Sequence, residues 1–220
     1  MRLFGYDRLE EYCEENKTSP YNELVLKHIN INDFGIINDG LYEKSKVHAG
    51  IVAKSIYDSI NERDDSHVYD NKNEYKRYFT GSLGEAYIGQ IFGVDVLDLS
   101  DTDIGDSIKK NVPDLRKSMG LDLGVKTSVL GNFPMTQRKI VHYPELICVH
   151  KSSESKEILF VGFASVKMLE KFVDIRYVND EDARDRKTGF FGFKNLIPAS
   201  KIKSIKDLKN LCDLDAKGLI

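Results

Sequence analysis

The chain has 220 residues, 41% of them apolar, which is enough for a sizeable core and excludes wholesale disorder. Its 35 acids and 32 bases leave a formal charge of -3, so no global positive field advertises nucleic acid or an anionic membrane, and such a partner has to be met by a local patch. No stretch approaches the ~18 apolar residues of a membrane helix, and the N-terminal MRLFGYDRLEEYCEEN carries acids where a signal peptide needs bases and an apolar run, so a soluble, cytoplasmic protein with no membrane partner is expected.

Along the chain, helical periodicity comes first. Ala49, Val52, Ala53, Ile56 and Ile60 recur at offsets of three and four, which gives one apolar face between about Tyr42 and Glu62. The polar RDDSHVYDNKNEYK at 63–76 reads as a loop, so a helical N-terminal subdomain over 1–75 is expected, followed by a core with a basic extension over 76–220. A second helix starts near Tyr78, turns Leu83, Tyr87, Ile88 and Ile91 inward, and stops at Gly93. VDVLDL at 94–99 and LDLGVKTS at 121–128 alternate as strands do. ELICVH at 145–150 and ILFVGFAS at 158–165 are nearly continuous apolar runs around the turn-rich KSSESKE, and are expected to form a hairpin at the middle of a sheet. VKMLEKFVD at 166–174 and the segment near Ile205 to Leu211 read as helices. This order of elements implies an α/β core.

Several chemistries lack their signatures. Cys13, Cys148 and Cys212 are too widely spaced for a disulfide scaffold or a cysteine zinc site, and the histidines never form HExxH. A GxSxG elbow and a GxxxxGK[ST] phosphate loop are both absent. Asp98, Asp101, Asp103 and Asp106 fail the calcium-loop spacing, because the sixth and twelfth positions from Asp101 are Asp106 and Val112. His142 has no nucleophile near it in sequence to activate.

The informative stretch is VPDLRKSMGLDLGVKTS at 112–128. A turn at Ser118 to Gly120 would fold Asp114–Leu115–Arg116 back on 121–126 as a hairpin and set Asp114 beside the strand carrying Lys126. Alternation puts Asp122, Gly124 and Lys126 on one face. Hydrolysing a phosphodiester takes a metal, carboxylates to hold it, and a cation or base near the attacking water. The plainer alternative makes Asp114 a turn opener after Pro113 and Lys126 a solvated strand end.

Pro113–Asp114 followed after nine residues by Gly124–Val125–Lys126 resembles the PD-(D/E)XK nuclease superfamily, which includes many type II restriction endonucleases. The resemblance takes in GSLGEAYIGQIFG at 81–93, similar to the family's first core helix with an acid at Glu85, and the runs 145–150, 158–165 and 166–174 as the remaining core strands and second helix. It covers roughly residues 78–174 and implies a restriction-endonuclease-like core, a mixed central sheet flanked by helices.

The chain departs from the pattern at Gly124, where the family carries Asp or Glu. Asp122, about 7 Å back along the strand, is one substitute. Glu145, as a migrated carboxylate, is a second. Glu85 with Asp114 and the Val125 carbonyl is a third, and a dead site is the fourth possibility. The resemblance implies Asp114 as bridging metal ligand, Asp122 or Glu145 as the second carboxylate and Glu85 as an outer acid. Lys126 would orient or activate the attacking water, and Mg²⁺ would be the ion. It also implies double-stranded DNA as substrate, a homodimer and site-specific restriction cleavage, with a structure-specific or repair nuclease, or a non-catalytic binding module, as alternatives. Nine bases against five acids between Arg176 and Lys209 make that segment a candidate phosphate contact. Within it Arg184, Arg186 and Lys187 are candidates for reading guanine edges, and Arg138 and Lys139 for touching backbone phosphate.

Overall fold

The computed structural model describes residues 12–61, 71–97, 99, 112–132, 135–137, 142–172, 188–190 and 192–220. A short helix α1 (Pro20–Leu24) is opened by the Ser19 side chain, which accepts the Asn22 N–H, and by Pro20 in its first turn. The two-residue strand β1 (Gly35–Ile36) leads into the long helices α2 (Asp39–Asn61) and α3 (Asn71–Phe92). α3 begins seven residues before the start expected at Tyr78. The polar composition of Asn71 to Lys76 reads as loop, but the helix runs through them, and Tyr75, Lys76 and Arg77 are exposed.

Past Phe92 the backbone does not form the strand expected at 94–99. Gly93 turns left-handed at φ 69°, and the Val94 N–H returns to the Gly89 carbonyl at 3.0 Å, a Schellman closure of α3. Residues 94–97 then run as irregular chain that buries Leu97. The aspartates at 98, 101, 103 and 106 lie outside the described residues.

The hairpin expected over 113–127 is replaced by a tighter device. Arg116–Met119 form one helical turn, α4, closed by Gly120 in the left-handed region at φ 67°. Only Leu115 behaves as a hairpin partner, its N–H donating to the Leu123 carbonyl at 3.0 Å. The strand β2 (Gly124–Val129) begins at Gly124, and Leu121 to Leu123 precede it as irregular chain.

The sheet is completed by β4 (Glu145–His150), β5 (Glu157–Ala164) and β7 (Ile197–Pro198), while β3 (Met135–Gln137) and β6 (Thr188–Phe190) pair separately. Its order is β1–β5–β4–β2, with β7 also on β5. β2 runs parallel to β4, and the other pairs are antiparallel. The expected hairpin of 145–150 with 158–165 is present, with β4 interior. After β5 come α5 (Val166–Phe172) and α6 (Ile205–Ala216), the latter five residues longer than its periodicity indicated.

β4 reads as an unbroken apolar run because both faces of the sheet are covered. Leu146 and Cys148 join Tyr42, Ala49, Leu83, Ala86 and Ile88 in the larger core on the α2–α3 side. Ile147 and Val149 join Val25, Ala164, Leu169 and Phe193 in a smaller core on the other side. The N-terminal residues Ile37, Tyr42 and Ala49 thus share one cluster with Leu115, Leu123 and Phe163. Cys13 and Cys148 are buried and Cys212 half-buried, all as free thiols.

α3 lies against β2 at Gly84. A Cβ there would stand 1.8 Å from Thr127 Oγ1 and 3.0 Å from Thr127 Cβ, so only glycine lets the helix approach this closely. Ala in place of Gly ordinarily gains about 1 kcal/mol in a helix. Here Gly84→Ala is expected to lower stability by about 1–3 kcal/mol through overpacking, and adding Thr127→Ala is expected to restore most of the loss. Denaturant unfolding of the three variants checks both signs.

Candidate functional site

Asp114 sits at the outer edge of β2. The Val125 N–H donates to Asp114 Oδ2 at 2.6 Å, while Gly124 hydrogen-bonds the other way, its N–H donating to the Pro144 carbonyl at 3.0 Å. An extended residue sends its N–H and C=O to the same edge, so the Val125 carbonyl leaves β2 on the side where Asp114 stands.

Side chains reach this edge from both faces of the sheet. Val125 packs in the α2–α3 core and Thr127 meets Gly84, so these two residues face α3. Glu85 follows Gly84 on that helix and feels the charge of Asp114. Gly124 and Lys126 face the opposite way by alternation. Gly124 is registered with Glu145 and Lys126 with Ile147, and Lys126 Nζ lies 3.8 Å from Glu145 Oε1. Asp114 is thus the group within electrostatic reach both of Glu85, from the helical side, and of Glu145 with Lys126, from the other.

Three acids so close repel one another. Burial holds Glu85 well above the usual carboxylate range, and the charge on Asp114 pushes the same way. Asp114 keeps solvent-exposed surface, yet protein atoms crowd its carboxyl group. That desolvation, with the Glu145 charge added, lifts its pKa to about 6 against the pull of the Val125 N–H and of Lys126. Glu145 is raised by burial and eased by Lys126. Its Oε2 is buried without a hydrogen-bond partner.

Asp122 does not join this group. Its carboxylate turns outward to Arg116, with Arg116 Nε donating to Oδ1 at 2.5 Å, and that bond holds its pKa below the ordinary value. The expected shared face of Asp122, Gly124 and Lys126 fails because β2 begins only at Gly124, so alternation does not extend back to residue 122. Arg138, Lys139, Arg184, Arg186 and Lys187 lie outside the described residues. Of the basic C-terminal segment, Lys194, Lys201, Lys203, Lys206 and Lys209 are exposed, and Phe193 is buried in the smaller core.

Tyr143 belongs to the site although sequence reasoning passed it over. Its ring lies against Gly124, and its hydroxyl pKa is raised by burial and then by Asp114 and Glu145. Nothing in the sequence marks it except its place two residues before Glu145.

Among the described residues no three His, Cys, Asp or Glu side chains are gathered tightly enough to hold a metal as they stand. The donors nevertheless suit a hard cation. They are all oxygens, one carboxylate oxygen is buried with no partner, and Mg²⁺ is commonly held by only one or two carboxylates with water completing its shell. Asp114 and Glu145, with the Val125 carbonyl, would be the ligands.

The raised pKa of Asp114 fixes a stability trend for the metal-free protein. The unfolded chain releases this proton near 3.8 and the folded chain near 6, so the folded state holds more protons in between, and stability declines as pH rises across that window. Glu85 and Glu145 act in the same direction. Asp114→Asn is expected to flatten this decline and to raise the melting temperature at pH 8, which thermal melts from pH 4 to pH 8 in chelator would show. Set beside protein-family models, curated proteins and solved structures, the chain matches none of them.

Proposed function

We propose that the chain is a metal-dependent endonuclease that hydrolyses phosphodiester bonds of double-stranded DNA, most specifically a type II site-specific restriction enzyme with a restriction-endonuclease-like core. The observation that carries this reading is the meeting of Asp114, Glu145 and Lys126 at the edge of β2, with Lys126 3.8 Å from Glu145. Such a set combines a crowded pair of acids with one ammonium, the parts phosphodiester hydrolysis needs. The mixed sheet with helices on its faces is compatible with it.

A divalent ion held by Asp114 and Glu145 would neutralise charge building on the phosphate and lower the pKa of a water bound to it. Asp114 is steadied for this by the Val125 N–H. Lys126, half-exposed and tethered by Glu145, is placed to orient the attacking water and to offset negative charge on the phosphoryl oxygens. Glu85, which burial holds toward its neutral form, stands behind Asp114 as an acid that a bound cation would help to ionise. Homodimerisation, which would pair two cuts on a palindrome, follows from family habit.

Gly124 favours a second reading. Without a carboxylate at that position, and with no ready cluster of three ligands among the described residues, the chain would be a non-catalytic nucleic-acid-binding or interaction module on the same fold. Plasmid cleavage separates the two. Linear or nicked product is expected with Mg²⁺ and none with chelator, and Asp114→Ala, Glu145→Gln and Lys126→Ala are each expected to lower the rate ~100-fold or more, the scale lost on removing a group that stabilises the transition state. Retarded but uncut DNA would favour the binding module, and cleavage unchanged in all three variants would overturn the site assignment.

A further inference from the structure

Gly124 is not a backbone requirement. Its φ lies outside the left-handed region, unlike those of Gly93, Gly120, Gly131 and Gly218, so a side chain would suit its conformation. What excludes a side chain is Tyr143. A Cβ on residue 124 would stand 2.8 Å from Tyr143 Cε2, closer than real Cβ atoms come to a packed ring, a tight 3.3 Å from Cδ2, and 3.5 Å from Asp114 Oδ2. A residue at 124 would therefore set out toward Asp114 and meet the tyrosine first.

The main chain that carries Tyr143 is held beside Gly124. The Gly124 N–H bonds the Pro144 carbonyl at 3.0 Å, which ties the segment bearing Tyr143 to the start of β2. The next residue, Glu145, is the registered partner of Gly124 and emerges on the same face. Its carboxylate is largely buried, with 13% of the side chain exposed, and one oxygen is unpartnered. The volume lost to a side chain at 124 is thus filled by an aromatic ring, and an acid stands one strand away.

We propose that Tyr143 is a positioning residue that occupies the side-chain volume of position 124, so that the second carboxylate of the site is supplied by Glu145 on the neighbouring strand. The proposal rests on the reading of Asp114 and Glu145 as a divalent-cation site. It implies that the ring alone keeps an acid at 124 from serving, and that removing the ring lets the carboxylate return to β2.

The test is Mn²⁺ binding to the full chain, followed by electron paramagnetic resonance of the free ion, with a thermal melt of every variant. Glu145→Gln is expected to weaken binding by at least the ~10-fold seen when a supporting group of a metal site is lost. Adding Gly124→Asp to Glu145→Gln is expected to recover nothing, and adding Tyr143→Ala to that pair is expected to recover most of the affinity. Recovery with Tyr143 still present would overturn the proposal, as would no recovery in a folded triple variant. A stability cycle covers the case in which the triple variant does not fold: Gly124→Ala should lower the melting temperature of the wild type and cost far less in the Tyr143→Ala background, whereas equal losses in both backgrounds would overturn the volume argument. Wild type that binds no Mn²⁺ would instead overturn the cation reading, and the stability cycle would still decide whether Tyr143 fills position 124.

Discussion

A single backbone hydrogen bond organises the edge at which these acids meet. The Val125 N–H fixes Asp114 beside β2, and once the carboxyl group is held there its neighbours are set by the fold. Glu85 arrives because Gly84 brings α3 against Thr127, and Glu145 arrives because parallel pairing registers it with Gly124. The outcome is carboxyl groups concentrated where burial disfavours their charged forms. One lysine answers two of the three acids. A protein selected only for stability would gain by replacing such a group with apolar side chains, so the retained repulsion is itself support for a cationic ligand on the proposed reading.

How much of this was legible in the sequence follows from which forces are local. The β4–β5 hairpin was readable because each strand is buried on two sides and must be apolar almost throughout, with a polar turn between. The proximity of Asp114 to the strand of Lys126 was also readable, since the intervening loop is too short to carry them far apart. The path between them was not. One helical turn closed by Gly120 does the work expected of a hairpin, and both forms need the same glycine. Residues 71–76 looked like loop because a solvated helical turn and a polar loop have the same composition, and 94–97 looked like strand because alternation carries no information on whether a neighbouring strand exists.

The candidate site divides in the same manner. Glu85, Asp114, Lys126 and Glu145 could be named from residue type and order. The removal of Asp122 by Arg116 depends on side-chain directions set by α4, and the place of Tyr143 depends on its pressing against a strand nineteen residues upstream. Neither leaves a periodic trace. Glycine at 124 appears in sequence as a missing ligand, and only in three dimensions does it become a complement to an aromatic ring.

The turn that carries Asp114 has a second effect, on association between molecules. β2 ends the sheet, and a terminal strand offers a ladder of unpaired donors and acceptors to any other extended chain. Asp114 takes up the outward N–H of Val125, and Leu115 takes up the carbonyl of Leu123 just before the strand. The start of that border is thus partly closed to strand addition by the same turn that gathers the acids, which works against edge-to-edge pairing there.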